Sequence, residues 1–253
     1  MKLKYSISLL LLPALCYVGD AQDTLSLGYG RLAATAESSF AADSIGREQL
    51  QKTASFNPYN SLYGQLPGLF VMQWGEESWS STPSLSIRGI GSMNGNSVIT
   101  VIDGVPFRDL SSLNVSEIEN ITVLKDAASL ALYGNRGADG IIVVTTRNGS
   151  GCGLKVDADY NFGVSRNVLS QSSSGYEFNI SADGGDRRLN YFANLNYTGY
   201  DGFSDAAEGS NDGRPKMHNL KLRTNLLSEI TPSTIVKLGL LGRLNRADAP
   251  YST

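Results

Sequence analysis

The last hundred residues alternate apolar and polar side chains over five long stretches. Successive side chains of a β-strand point to opposite faces, so this period of two predicts strands with one apolar and one polar face. The apolar positions run, in order, over Val156 to Val164, Tyr176 to Ala182, Leu189 to Tyr197, Leu220 to Leu226 and Val236 to Leu240. We expect five antiparallel strands.

The connections between these strands are of two kinds. Asp183–Asp186 and Ile230–Ser233 predict tight turns, whereas Asn167–Gly175 and Asp201–Pro215 predict longer polar loops. Short turns at one rim, longer loops at the other and apolar-out, polar-in strands are typical of an outer-membrane β-barrel. A soluble β-sandwich would alternate in the same way and stays open as an alternative.

Five strands are too few to close a barrel. Lipid offers no hydrogen bonds, so every strand edge of a membrane barrel must be paired within the protein. Plugged barrels use about 22 strands, and about one hundred residues follow Gly153. We therefore expect the chain to be the N-terminal part of a longer protein or a degenerate remnant.

The N-terminus has the pattern of a secretory signal peptide. Lys2 and Lys4 precede the apolar run Ser6–Val18, and Gly19-Asp20-Ala21 offers small residues for cleavage after Ala21. The run is too short for a membrane-spanning helix. Lipidation at Cys16 is disfavoured because Leu15 stands where a small residue should precede the cysteine. We predict that residues 1–21 are removed on export.

The composition excludes several classes of function. A formal net charge of -3 gives no electrostatic case for nucleic acid. After cleavage Cys152 is the only thiol, so no internal disulfide is expected, and His218 is the only histidine. Gly89–Asn94 lacks the third glycine of a dinucleotide fingerprint. We expect no catalytic residues, no metal, no cofactor and no enzyme.

The region from 45 to 150 predicts an α+β domain. Asn57-Pro58 predicts the start of a helix that ends at Pro67-Gly68, with Leu62 and Leu66 on one face. Asn114 and Glu117 have the spacing of a capping box for a short helix. Asp126 predicts the cap of a second helix, which would run through Leu132 to Gly134. The predicted strands are Ser97–Asp103, Ile121–Leu124 and Gly140–Thr146.

Four motifs follow one another between Ser84 and Gly149: IRG at Ile87–Gly89, DGVP at Asp103–Pro106, IENITVLKD at Ile118–Asp126 and LYGNRGADGIIVVTTRNG at Leu132–Gly149. In this order they resemble the plug domain of TonB-dependent outer-membrane transporters, and most closely the SusC/RagA branch. The motif positions that carry the resemblance are Ile87, Gly89, Asp103, Gly104, Pro106, Lys125, Asp126, Tyr133, Gly134, Gly137 and Gly140.

The resemblance implies a domain organisation. It assigns 1–21 to a signal peptide, 22–44 to a Ton-box-like segment and linker, 45–150 to the plug and 151–253 to the first strands of an incomplete barrel. In such a transporter the plug fills the barrel lumen. The resemblance also implies that Arg88 and Arg136 latch the plug to carboxylates on barrel strands that this chain lacks.

The resemblance further implies partners. A strand at Asp23, Thr24, Leu25, Ser26 and Leu27 resembles the Ton box, to which TonB would add a strand by β-augmentation. A SusD-like surface lipoprotein would capture glycans or peptides for uptake across the outer membrane. A siderophore or cofactor receptor is the alternative within the class, and a secreted β-rich adhesin is the alternative outside it.

Overall fold

The computed structural model describes residues 24–26, 32–34, 42–53, 55–73, 83–89, 98–107, 109–125, 133–134, 137, 139–149, 153–166, 172–186, 188–202, 216–231 and 234–248. The strands before the plug–barrel boundary are β1 (Thr24–Ser26), β2 (Leu32–Ala34), β3 (Ala42–Gly46), β4 (Leu69–Met72), β5 (Ser84–Ile87), β6 (Ile99–Ile102), β7 (Val105–Phe107), β8 (Ile118–Leu124) and β9 (Ile141–Thr146). Among the described residues, the α-helix α1 spans Arg47–Gln51.

Five of these strands form the plug sheet, in the order β3-β8-β9-β6-β7. The pair β6–β9 is parallel and the other three pairs are antiparallel. Apolar side chains of β6, β8 and β9 are buried on both faces, as the continuous apolar runs of these segments predict. The predicted strands Ser97–Asp103, Ile121–Leu124 and Gly140–Thr146 are all confirmed, with β8 beginning earlier, at Ile118.

The Asp103-Gly104 pair makes the hairpin between β6 and β7. Both residues have positive φ, 50° and 85°, which two-residue hairpins with a type I′ turn require. Asp tolerates this conformation and Gly adopts it freely. Pro106 lies in β7, an edge strand of the plug sheet, where a missing N–H is tolerated. The DGVP motif is therefore explained by its turn and by the strand edge.

The IRG motif meets the ADG segment (138–140) of the last motif at Gly140. Ile87 is buried at the end of β5, and Gly140 lies directly before β9. A Cβ on Gly140 would lie 2.5 Å from Ile87 Cδ1, and Gly140 has a φ of +100°. Only glycine satisfies both demands without strain. The two motifs are thus tied to one packing contact.

The helix predicted after Pro58 is wrong. The structure has a 3₁₀ turn at Asn60–Leu62, and Gly64 has a φ of +66°. Backbone bonds from Gln65 to Leu62 and from Leu69 to Leu66 close tight three-residue turns instead of continuing a helix. The Asn57 side chain accepts from the Tyr59 N–H at 3.1 Å, as a cap would, but Gly64 then reverses the chain. Leu62 and Leu66 are buried as predicted.

The capping box at Asn114 is half confirmed. Asn114 Oδ1 accepts from the Ser116 N–H at 2.9 Å and begins a 3₁₀ helix at Val115–Glu117. The carboxyl of Glu117 faces the backbone N–H of Asn114, as the box requires, but this contact falls short of a hydrogen bond of good geometry. The second predicted helix, from Asp126 to Leu132, lies outside the described residues, as does the predicted signal peptide at 1–21.

Five long strands follow the plug: β10 (Gly153–Arg166), β11 (Ser172–Gly185), β12 (Leu189–Asp201), β13 (Lys216–Thr231) and β14 (Thr234–Asp248). They pair in chain order, all antiparallel, to form one sheet, the wall sheet, with β10 and β14 at its edges. All five predicted strands are confirmed. The open sheet is not a closed barrel.

The connections differ from the prediction in where the strands end. Asp183–Gly185, expected in a tight turn, belong to β11, and Ile230 and Thr231 belong to β13, so both turns begin later than predicted. Ser172–Gly175, expected to lie in the loop Asn167–Gly175, belongs to β11 and pairs with residues of β10 from Arg166 back to Gly163. Polar residues such as serine pair along the backbone ladder as any residue does, so polarity alone misplaced the end of the strand. Strand β3 likewise begins at Ala42 and joins the plug sheet, within the segment 22–44 assigned to the linker.

The expected α+β plug is therefore confirmed only for its sheet; helix in the described residues is limited to α1 and short 3₁₀ turns. None of the helices in the described ranges is long and apolar enough to cross a membrane. Near the N-terminus β1 and β2 pair antiparallel, with Leu25 opposite Ala33.

Candidate functional site: the contact between plug and wall

The inner face of the wall sheet is polar and yet buried. Its side chains belong to alternate residues of β11, β12 and β13, and the plug covers them. They are Ser173, Glu177, Asn179, Ser181, Asp183, Asn194, Asn196, Thr198, Asn219, Lys221, Arg223 and Asn225. The opposite face exposes large apolar side chains, among them Phe178, Leu195 and Leu222. Apolar groups therefore face outward, and polar groups face the plug.

An ion pair joins Arg147 at the end of β9 to Asp183 of β11. Arg147 Nη2 donates to Asp183 Oδ1 at 2.9 Å, and the two side chains are only 5% and 6% exposed. Arg147 Nη1 lies 3.5 Å from both Ser116 O and Ser181 Oγ. Removing one member of such a buried pair leaves the other charge uncompensated, which costs about 3–5 kcal/mol.

The ring of Phe192 packs against the guanidinium of the same arginine. Phe192 occupies an inward position of β12, where the alternation would place a polar residue, and it is fully buried. The Arg147 guanidinium carbon lies 4.7 Å from the centre of the Phe192 ring. This geometry gives a cation–π contact worth roughly 0.5–2 kcal/mol.

In a second charged contact the plug supplies the anion and the wall sheet supplies the cations. Asp103, at the β6–β7 turn of the plug, accepts from Arg223 Nη2 at 2.9 Å and from Lys237 Nζ at 3.1 Å. Thr146 holds the same carboxylate through its N–H, at 3.0 Å, and through its hydroxyl. Two cations of the wall sheet therefore hold one anion of the plug.

The charge of Asp103 is favoured by these neighbours. Burial would raise the pKa of its carboxyl, but the hydrogen bonds from Thr146 and the positive charge of Lys237 outweigh burial and lower the pKa below the ordinary value of 3.8. Asp103 is therefore ionised at neutral pH and attracts both wall cations.

Hydrogen bonds from amide and hydroxyl groups fill the space between the ion pairs. Asn114 Nδ2 of the plug donates to Glu177 Oε1 at 2.6 Å, and Asn196 Nδ2 donates to the same oxygen at 2.8 Å. Ser116 Oγ bonds Asn179 Oδ1 at 3.0 Å and Asn194 Nδ2 at 3.3 Å. The start of the 3₁₀ helix at Val115–Glu117 is thus fixed to β11 and β12.

Strand β13 binds plug backbone as well as side chains. Lys221 Nζ donates to the carbonyls of Ser111 and Leu113, at 2.6 and 3.1 Å. Asn225 Nδ2 donates to Arg147 O at 2.6 Å and to Thr146 Oγ1 at 3.0 Å. Backbone acceptors of the plug are thereby satisfied by the wall, as buried polar groups require.

The structure places the sequence-predicted residues in different surroundings. Asp103 lies in the contact between plug and wall. Arg88 is exposed, with a φ of 58°, and its N–H donates to Gly68 O at 2.8 Å. The latch predicted for Arg88 would need strands beyond this chain and stays a prediction. Arg136 and Asp126, and Asp23 and Leu27 of the Ton-box-like strand, lie outside the described residues.

The other motif positions serve the plug itself. Lys125, directly after β8, pairs with Asp43 and donates to Pro67 O, which ties three plug segments together. Gly89 and Gly134 have positive φ, and Gly140 N donates to Gly137 O at 3.0 Å. Tyr133 is half-buried and packs against a cluster that includes Val101 and Ile141. In the ranges that the structure describes, these positions contribute to turns and contacts within the plug.

Sequence reasoning missed Arg147, Asp183, Arg223 and Lys237. A usable signal was present, because all three wall residues stand at inward positions of the alternation, where a charge needs a partner across the lumen. Arg147 directly follows β9, the last plug strand. Nothing in the surrounding sequence motif indicated that this arginine is buried rather than exposed. Its role requires the three-dimensional approach of β9 to β11.

Comparison with known proteins agrees with this architecture. The family profile described as TonB-dependent Receptor Plug Domain matches residues 34–141. TonB-dependent receptor SusC of Bacteroides thetaiotaomicron is 31% identical over 157 residues, which cover 56% of this chain and 15% of SusC. The chain spans about a seventh of the length of the curated relatives it matches.

Solved structures share the fold of both parts. The RagAB peptide importer in its open-open state superposes with a TM-score of 0.77 at 18% identity, over 89% of this chain and 32% of that chain. The siderophore receptor PirA from Acinetobacter baumannii gives a TM-score of 0.59 at 21% identity, over 83% of this chain and 32% of that chain.

The polar inner face, the plug that covers it, the profile match and the shared fold point the same way. Residues 34–141 therefore match the plug domain of the TonB-dependent receptors, the chain is similar in sequence to SusC, and its plug and five wall strands share the fold of the RagAB importer.

Proposed function

We propose that the chain is the N-terminal part of a TonB-dependent outer-membrane importer of the SusC/RagA type. The observation that carries this proposal is the plug seated on the polar inner face of a wall whose outer face is apolar. An apolar outer face suits lipid, and a polar inner face sealed by a separate domain suits a gated path for solutes.

Energy would come from TonB acting on the strand around Leu25. Strand β1 is already extended and paired with β2, so its backbone has the conformation that β-augmentation requires. Pulling on this segment would transmit force to β3 and the plug sheet. The contacts of Arg147 and Asp103 with the wall would resist that force, and they define what must break for the plug to move.

The proposed cargo is a glycan or a peptide, delivered by a SusD-like surface lipoprotein. The similarity to SusC and to the RagAB peptide importer supports this cargo class. A siderophore or cofactor receptor is the second candidate, because the siderophore receptor PirA shares the fold. A secreted β-rich adhesin is disfavoured, since it gives no reason for buried ion pairs between a separate plug and one sheet.

Uptake by the full-length protein tests the proposal. Leu25→Pro removes a backbone N–H in β1 and should abolish both binding to the periplasmic domain of TonB and energised uptake, since proline cannot donate to a strand partner. Thr24→Ala keeps every backbone group and should retain both. Growth on oligosaccharide, on peptide or under iron limitation assigns the cargo. Uptake that is indifferent to Leu25→Pro and to loss of TonB would refute the importer.

A further inference from the structure

Glu117 is a buried carboxyl that forms no ion pair within the part of the chain that the structure describes. It ends the 3₁₀ helix at Val115–Glu117, its side chain is fully buried, and within the described residues neither carboxylate oxygen has a hydrogen bond of good geometry. A buried, ionised carboxylate without such bonds is costly, and a group in this position usually takes up a proton.

The residue sits where the plug meets the wall. Its neighbours Asn114 and Ser116 both bond side chains of β11, and its own carbonyl accepts the Arg147 N–H at 2.9 Å. Arg147 in turn pairs with Asp183. Separating plug from wall would therefore open the surroundings of Glu117 to water.

The charged groups around Glu117 act in both directions. Lys221 and Arg223 of β13 favour its ionised form, whereas Glu177 of β11 disfavours it. Lys221 is bonded to the carbonyls of Ser111 and Leu113, and Arg223 Nη2 is bonded to Asp103 and Thr146. Helix α1 also packs against this 3₁₀ helix and carries Glu48 and Arg47, the latter paired with Asp157.

Burial outweighs the two cations. Loss of water around the carboxyl raises the pKa of Glu117 from 4.5 to about 7, against the lowering effects of Arg223, Lys221 and the Asn114 backbone.

We infer that Glu117 binds a proton while the plug rests on the wall and that the plug releases this proton when it moves away. The inference rests on the proposed function, since it concerns the movement of the plug within an importer. It makes the contact between plug and wall sensitive to pH near neutrality.

The direction follows from the raised pKa. The contribution of the protonated carboxyl to docking is fully present below pH 4.5 and is lost as the pH rises through about 7. Linkage then predicts that docking weakens by about tenfold between pH 6 and pH 8. Above that range the docked state holds an ionised Glu117 and gains nothing further.

Hydrogen exchange of the 114–118 backbone in the full-length protein measures this effect, because exchange of docked amides requires the plug to separate or open. Corrected for intrinsic exchange, the opening equilibrium of the wild type should rise by about tenfold from pH 6 to pH 8. Glu117→Gln, neutral and of the same shape, should hold the low-pH value throughout. Glu119→Gln, exposed two residues away, should keep the wild-type slope.

A wild type with no pH dependence, or a slope that survives Glu117→Gln, would overturn the inference. His218→Gln should leave the pH dependence of the opening equilibrium unchanged. His218 hydrogen-bonds Tyr197 on the outward face of the wall sheet, the face opposite the plug. If Glu117→Gln does not fold, infrared difference spectra of the wild type decide, through a protonated-carboxyl band present at pH 6 and lost at pH 8. Neither hydrogen exchange nor infrared spectroscopy depends on uptake. If Leu25→Pro does not block transport, the proposed importer is refuted, whereas the protonation of Glu117 is decided by these two measurements alone.

Discussion

Arg147 of the plug and Asp183 of the wall sheet form an ion pair at 2.9 Å in which both side chains are almost completely buried. Phe192 lies beneath the guanidinium at 4.7 Å, and the backbone N–H of Arg147 is held by Glu117 O. Two contacts other than the ion pair therefore hold the backbone and the guanidinium of Arg147 in position. This pair joins the end of the last plug strand to the second wall strand.

Breaking this pair should loosen the plug. Arg147→Ala leaves Asp183 buried without its partner, and we expect the plug to lose about 3–5 kcal/mol of stability in denaturant unfolding of the full-length protein. Arg147→Ala combined with Asp183→Ala should recover part of the loss, since no unpaired charge remains.

Arg47→Ala is the matched control. Arg47 and Asp157 are 3.6 Å apart and their side chains are 31% and 50% exposed, so removal of this pair should cost less than about 1 kcal/mol. Equal losses in the two arginine variants would contradict the importance of burial.

A substitution at Asp103 tests the second charged contact without disturbing the β6–β7 turn. Asparagine tolerates positive φ, so Asp103→Asn should keep the β6–β7 hairpin while it removes the charge that Arg223 and Lys237 share. We expect a loss of about 1.5–3 kcal/mol, the range for hydrogen bonds to charged groups. Asp109→Asn, an exposed cap, should cost far less.

The same residue predicts a response to acid. Because the pKa of Asp103 is lowered in the folded protein, its stabilisation is full above the ordinary value of 3.8 and is lost as the pH falls through the lowered value. The stability of the wild type should therefore fall more steeply than that of Asp103→Asn below pH 3.8, as unfolding at a series of pH values would show. Parallel curves would contradict this assignment.

Gly140 tests the contact between the IRG and ADG motifs. Gly140→Ala places a methyl 2.5 Å from Ile87 Cδ1 at a φ of +100°, and we expect a loss of about 2–4 kcal/mol from overpacking and backbone strain together. Gly64→Ala has a φ of +66° and nothing within 4 Å, so it should cost about 1–2 kcal/mol from strain alone. The difference between the two variants, measured by thermal unfolding, isolates the clash.

Phe192 tests whether the inward aromatic supports Arg147. Phe192→Leu keeps an apolar side chain but removes the ring, and we expect a loss of roughly 0.5–2 kcal/mol together with faster hydrogen exchange at the end of β9. Phe178→Leu, on the outward face, should leave exchange in the plug unchanged. An effect of equal size from both variants would show that Phe192 acts only through the wall sheet.

Sequence patterns predicted the sheets far better than the contacts between them. The alternation placed all five wall strands because each side chain there faces either the plug or the outside, and β6, β8 and β9 followed from continuous apolar runs. The helix after Pro58 failed because the Leu62 and Leu66 spacing fits successive tight turns as well as a helix, and Gly64 decides between them. Arg147 and Asp183 could not be paired from sequence, since their approach depends on how β9 meets β11.

The central claim is that the plug lies against the inner face of the wall sheet, and a cross-link between two faces tests it most directly. With Cys152 replaced by serine in the full-length protein, Ser116→Cys and Asn194→Cys should join readily on oxidation, because Asn194 Nδ2 lies 3.3 Å from Ser116 Oγ. Ser116→Cys and Leu195→Cys should not join, since Leu195 is the next residue of β12 and points outward. A cross-link at 195 and none at 194 would contradict the account.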